Sequence, residues 1–151
     1  MTESMSLIPA DAVLLHSESG SKTAIIAEVL AALPSVDLDA AMAVIMEREK
    51  LGSTGIGHGI AIPHGRLPDL ETPITALVRH ADGIDFDAID GQPVHIVVVL
   101  LAPKDEDRSH LELLAGLARA LQKESVRGAV MGAETAEEVS ALFAVQAASP
   151  G

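Results

Sequence analysis

The side chain best suited to covalent chemistry is His64, in the stretch Leu51-Gly-Ser-Thr-Gly-Ile-Gly-His-Gly-Ile-Ala-Ile-Pro-His-Gly-Arg66. Histidine has an ordinary pKa near 6.5, so at neutral pH one ring nitrogen carries a lone pair and can attack an electrophile. An attacking imidazole needs an acceptor on its other nitrogen, which fixes the tautomer. A phosphoryl electrophile also needs backbone N–H groups and cations for its oxygens. The run Ser53-Thr54-Gly55-Ile56-Gly57 offers N–H groups with little side-chain obstruction, and Arg48 and Arg66 offer the charge. On the residues alone, a structural loop holding a hydrogen-bonded histidine competes with this reading.

His110, at the start of a helical pattern, reads alone as a solvated first-turn residue. His58 and His64 stand six residues apart in a glycine-rich loop, which is no standard metal-ligand spacing, and neither an HExxH pattern nor cysteine is present. No metal or cofactor is therefore expected. His16, His80 and His95 fall in strand-like runs and read as structural. Gly55-Ile-Gly57 completes neither a dinucleotide fingerprint nor a Walker loop, and no Gly-x-Ser-x-Gly elbow occurs.

Positioning these groups requires a scaffold, and the chain alternates strand and helix signals. Ala12–His16 reads as an edge strand, and a serine- and glycine-rich break ending at Ser21 precedes a helical pattern over Lys22–Leu33. Asp37 is placed to cap a second helix, Leu38–Lys50, which Gly52 ends. The glycine density of Leu51–Arg66 argues for loop, with a brief strand at Ile60–Ile62 imposed by Pro63. Ile74–His80 and Val94–Leu101 read as strands, the second so apolar that both its faces must be covered. Ser109 is placed to cap a helix to about Lys123, a shorter helix follows over Ser125–Ala133, and a Thr135…Glu138 capping box opens a last one to about Ala147. The expected fold is α/β: a single domain over residues 1–151, with a mixed sheet flanked by helices on both faces.

Composition narrows the function. Lys and Arg number 10 against 22 Asp and Glu, for a formal charge of −12. That balance argues against binding a phosphate backbone, and Phe86 and Phe143 as sole aromatics argue against base stacking. The absence of cysteine removes disulfides and thiol catalysis. The longest apolar run, Ile96–Ala102, falls far short of a membrane span, and Met1–Met5 lacks a signal-peptide pattern, so a cytoplasmic protein without membrane insertion is expected.

The span Arg48–Arg66 resembles the signature of the enzyme IIA domains of the bacterial phosphoenolpyruvate-dependent phosphotransferase system, fructose/mannitol type, and within it the nitrogen-regulatory branch. Ile84–Val94, the strand ending Leu101-Ala-Pro103, and Ser109-His110-Leu111 agree in order, so the similarity runs from about Leu7 to Phe143. The resemblance implies a phosphotransferase whose His64 takes a phosphoryl group on Nε2 from an HPr-like carrier. It also implies that His110 and Arg48 hold the phosphoryl oxygens. Relatives often carry Asn at the position of His58. Two roles follow: a regulatory phosphocarrier acting on protein targets, or the IIA component of a fructose-type sugar system passing phosphoryl to a IIB cysteine. The Leu-Gly-Ser-Thr-Gly run and His64-Gly65-Arg66 lean toward the first; a purely binding module would leave the intact Arg48, His64 and His110 without use.

Overall fold

The computed structural model describes residues 5–33, 36–52, 54–68, 70–104 and 107–145. Its framework is a mixed sheet built around β7 (Val94–Pro103). On one side β7 pairs antiparallel with β6 (Ile74–Ile84), which pairs parallel with the edge strand β2 (Val13–Leu14). On its other side two short strands run parallel to β7 in succession, β4 (Ile60–Ala61) and β5 (His64–Leu67), and β3 (Gly55–Gly57) closes that edge against β4. A separate antiparallel ribbon joins β1 (Met5–Ser6) to β8 (Ala144–Val145).

Helices cover both faces. The helices α1 (Lys22–Ala31) and α2 (Leu38–Lys50) bury Ile25, Ile26, Val29, Ala41 and Ile45 against Val97, Val99 and Leu101 of β7. The helices α3 (Asp107–Leu121), α4 (Glu124–Gly132) and α5 (Ala136–Leu142) bury Leu117, Leu121, Val130 and Val139 against Ile96, Val98 and Leu100. Alternate residues of one strand thus belong to two different cores, as a side-chain period of two requires, and the uninterrupted apolar run follows from it. Arg79 of β6 ties the layers together: Nη1 donates to the carbonyls of Val130 (2.9 Å) and Ala133 (2.7 Å) at the C-terminal end of α4. A cation there satisfies orphan carbonyls and suits the helix dipole.

The cap chemistry behaves as its residues dictate. The side chains of Ser21, Asp37 and Thr135 accept from the N–H groups of Ala24 (3.1 Å), Ala40 (3.2 Å) and Glu138 (3.2 Å). Four expectations change. The edge strand expected over Ala12–His16 contracts to Val13–Leu14, with Ala12 closing a 3-10 turn and His16 outside the strand. The glycine-rich segment is not mostly loop but a small hairpin, β3–β4, followed by β5. α3 begins two residues before the expected Ser109 cap, which leaves Ser109 inside the helix. α5 ends at Leu142 rather than near Ala147, because Phe143 buries into the core and its carbonyl accepts from Leu7 N–H (2.9 Å).

Candidate functional site

The site forms where one strand is broken in two. β4 and β5 follow the same neighbour, but Pro63 between them has no N–H to give. Ile62 and Pro63 leave the ladder there, although the Pro63 carbonyl still accepts from Leu100 N–H (3.0 Å). The Ile62 carbonyl turns to the His64 ring, 2.8 Å from Nδ1. A carbonyl only accepts, so Nδ1 carries the proton and Nε2 holds the lone pair. The acceptor that an attacking imidazole needs is thus supplied by the backbone, two residues upstream.

Strand alternation puts His64 and Arg66 on one face of β5 and Gly65 and Leu67 on the other. The second face meets α2 closely. A Cβ at Gly65 would come within 2.8 Å of Val44 Cγ2, so glycine is what allows the approach. One helical turn beyond Val44 comes Arg48, half-buried, whose Nη1 donates to the Gly52 carbonyl (2.9 Å) past the end of α2. Arg48 and Arg66 both act electrostatically on His64.

Burial pushes the half-buried His64 ring below its usual 6.5; the Ile62 hydrogen bond opposes this, Arg48 and Arg66 lower the value further, and Glu49 raises it. The ring therefore stays neutral to lower pH than a free histidine. An NMR titration of the ring is expected to give a midpoint below 6.5, and Arg48→Gln is expected to move it upward; a wild-type midpoint at or above 6.5 contradicts this account. The unfolded chain takes up this proton first, so stability falls as the pH drops from about 6.5 toward the folded midpoint, and this group adds no further loss below that.

Several other sequence candidates fall at defined places. Ser53 lies outside the described residues. The Thr54 N–H faces Glu49 Oε1 (3.3 Å), so it is already engaged. Gly55 pairs with Ala61 in the hairpin, and its carbonyl accepts from Ile89 N–H (3.4 Å). Gly57 lies beyond Ile60, and four residues of β7 separate the registers of Ile60 and His64, about 13 Å along the strand. The hairpin thus brings Thr54, not Gly57, toward the histidine. His58 occupies the hairpin tip at φ 59°, and its N–H donates to Asp90 Oδ2 (3.3 Å). Asn, Asp and His are the non-glycine residues that best accept such a φ, so His58 suits the hairpin tip. The His110 side chain lies outside what is described; its backbone belongs to the first turn of α3, which starts four residues past Pro103, the partner of Leu67 at the end of β5.

Sequence reasoning missed Glu49. Its side chain is 2% exposed and meets Lys22 Nζ at 2.7 Å, the Thr54 N–H and the Thr54 hydroxyl. A signal was present: an anion in the last turn of a helix opposes the helix dipole and calls for another reason to be there.

The molecule is thus a single α/β domain that holds a half-buried, tautomer-fixed histidine at a strand break, within electrostatic reach of two arginines. The chain belongs to the family described as the phosphoenolpyruvate-dependent sugar phosphotransferase system EIIA 2, whose model matches residues 6–145. It is 41% identical over 128 residues to the nitrogen regulatory protein of Pseudomonas aeruginosa, covering 82% of this chain and 83% of that one. It is 35% identical over 146 residues to the nitrogen regulatory protein of Bradyrhizobium diazoefficiens, covering 95% of each. Among solved structures, nitrogen regulatory protein IIA-Ntr from Neisseria meningitidis superposes with a TM-score of 0.86 at 36% identity, over 91% of this chain and 96% of that one. Among the described residues no helix is long and apolar enough to cross a membrane.

Proposed function

We propose that this protein is a cytoplasmic regulatory phosphocarrier. His64 Nε2 accepts a phosphoryl group from the phosphohistidine of an HPr-like carrier, and protein targets respond to whether the group is present. The observation that carries this reading is the Ile62 carbonyl on Nδ1, which puts the lone pair of the neutral ring on Nε2, with Arg48 and Arg66 acting on that ring electrostatically.

In the transfer, Nε2 approaches the donor phosphorus roughly in line as the donor's N–P bond breaks. The transition state is loose, so placement and charge neutralisation supply most of the rate. Arg48 and Arg66 attract the transferring oxygens. We assign His110 to the same task, on the strength of the family motif and the start of α3 at the end of β7. A phosphoryl group adds about −1.5 to −2 charges to this surface, which changes what docks there. The net charge of −12 favours a partner with a basic contact face.

The test is to incubate the purified chain with enzyme I, phosphoenolpyruvate and an HPr-like carrier. The expected product is an acid-labile, base-stable label on the chain. His110→Ala is expected to keep the fold and slow labelling roughly 10- to 100-fold, the usual scale for a lost positioning contact. An unlabelled wild-type chain overturns the reading. Efficient onward transfer to the cysteine of a fructose-type IIB domain would move it to the sugar-transport branch.

A further inference from the structure

We propose that Glu49 is a positioning residue of the transfer site, acting with Lys22 and Thr54 as a buried clamp that holds the His64 ring and Arg48 in register. This rests on the reading of His64 as the phosphoryl acceptor.

Three elements meet at one carboxylate. Lys22 comes from the first residue of α1, Glu49 from the last turn of α2, and Thr54 from the segment entering the hairpin. Lys22 Nζ also lies 4.9 Å from the centre of the buried Phe86 ring. Both charges are at the wrong helix ends, a cation at an N-terminus and an anion at a C-terminus, so each is locally unfavourable. Their pairing offsets that cost. Burying an ion pair is nevertheless no better for stability than packing apolar groups of similar volume. A clamp made of charge therefore points to placement rather than to stability.

What it places can be followed bond by bond. Glu49 accepts from both the N–H and the hydroxyl of Thr54. The Thr54 carbonyl accepts from Ile62 N–H (3.1 Å), and the Ile62 carbonyl accepts from His64 Nδ1 (2.8 Å). An unbroken hydrogen-bonded path thus runs from the α2 carboxylate to the reacting ring. Glu49 is also the chain neighbour of Arg48, so the bonds that fix one end of α2 set the starting point of the guanidinium. The carboxylate charge reaches His64 as well, in the direction opposite to the two arginines.

Glu49→Gln keeps the shape and an acceptor but removes the charge. With an HPr-like carrier charged by enzyme I and phosphoenolpyruvate, its maximal transfer rate is expected to fall roughly 10- to 100-fold. The carrier concentration giving half that rate should change little, and the His64 titration midpoint should move down. Thr54→Val removes the hydroxyl at similar volume and should also lower the maximal rate, whereas Thr54→Ser should restore it. A folded Glu49→Gln protein with a wild-type maximal rate and ring titration overturns the inference. If Glu49→Gln does not fold, the Thr54 pair decides: equal rates for Val and Ser overturn the inference. A wild-type chain that takes no label overturns the His64 reading itself, whereas a labelled wild type with unaffected variants overturns only the clamp.

Discussion

His64→Ala is expected to take up no phosphoryl label from the charged carrier while remaining folded. The ring is half-buried and donates to the Ile62 carbonyl, so truncation removes that bond at a cost of about 1 kcal/mol. The chemistry has no comparable reserve, since a nucleophile cannot be replaced by the groups that orient it. His64→Gln sharpens the test, because its amide retains polarity in this place but offers no lone pair of comparable basicity. Both variants should be checked by circular dichroism and then assayed for acid-labile label. Label persisting in either one assigns the acceptor to another residue, and the five remaining histidines are the first to examine.

Local patterns made much of the scaffold legible. Asp37 and the apolar spacing behind it give α2 with the bounds Leu38–Lys50, and the unbroken aliphatic run of β7 announces a strand buried on both faces. What escaped depends on distant partners. Glycine density argued for loop over residues 51–66, yet the same glycines serve a hairpin, where Gly57 and Gly59 carry positive φ on either side of the tip. The end of α5 is set by Leu7 and by the pairing of Ala144 with Ser6, both far away in the chain. For the site, sequence supplied His64, Arg48 and Arg66 as residue types suited to one reaction. It did not supply the Ile62 acceptor, which exists only because the strand breaks at Pro63, nor the inward turn of Glu49 beside the outward Arg48.

Gly65→Ala is expected to destabilise the protein by about 1–3 kcal/mol, the scale of overpacking a well-filled contact. Its effect on transfer should exceed what the loss of folded protein explains. The new methyl group would stand 2.8 Å from Val44 Cγ2 and 3.2 Å from Val44 Cβ, so α2 and β5 must separate. That separation is felt one turn later at Arg48 and Glu49, and on the strand side at His64, the neighbour of residue 65. Gly65 is not among the residues with positive φ, so the penalty is steric and not conformational. It follows that room made on the helix should relieve it. Val44→Ala removes the nearer methyl carbon but keeps Cβ, so the double variant should recover part, not all, of both stability and transfer rate. A coupling of about 0.5–3 kcal/mol between the two sites is the expected size for residues in direct contact. Thermal unfolding of the four proteins in this cycle, with single-turnover transfer measured alongside, checks it. Strict additivity of the two substitutions contradicts the steric account of how α2 is seated against β5.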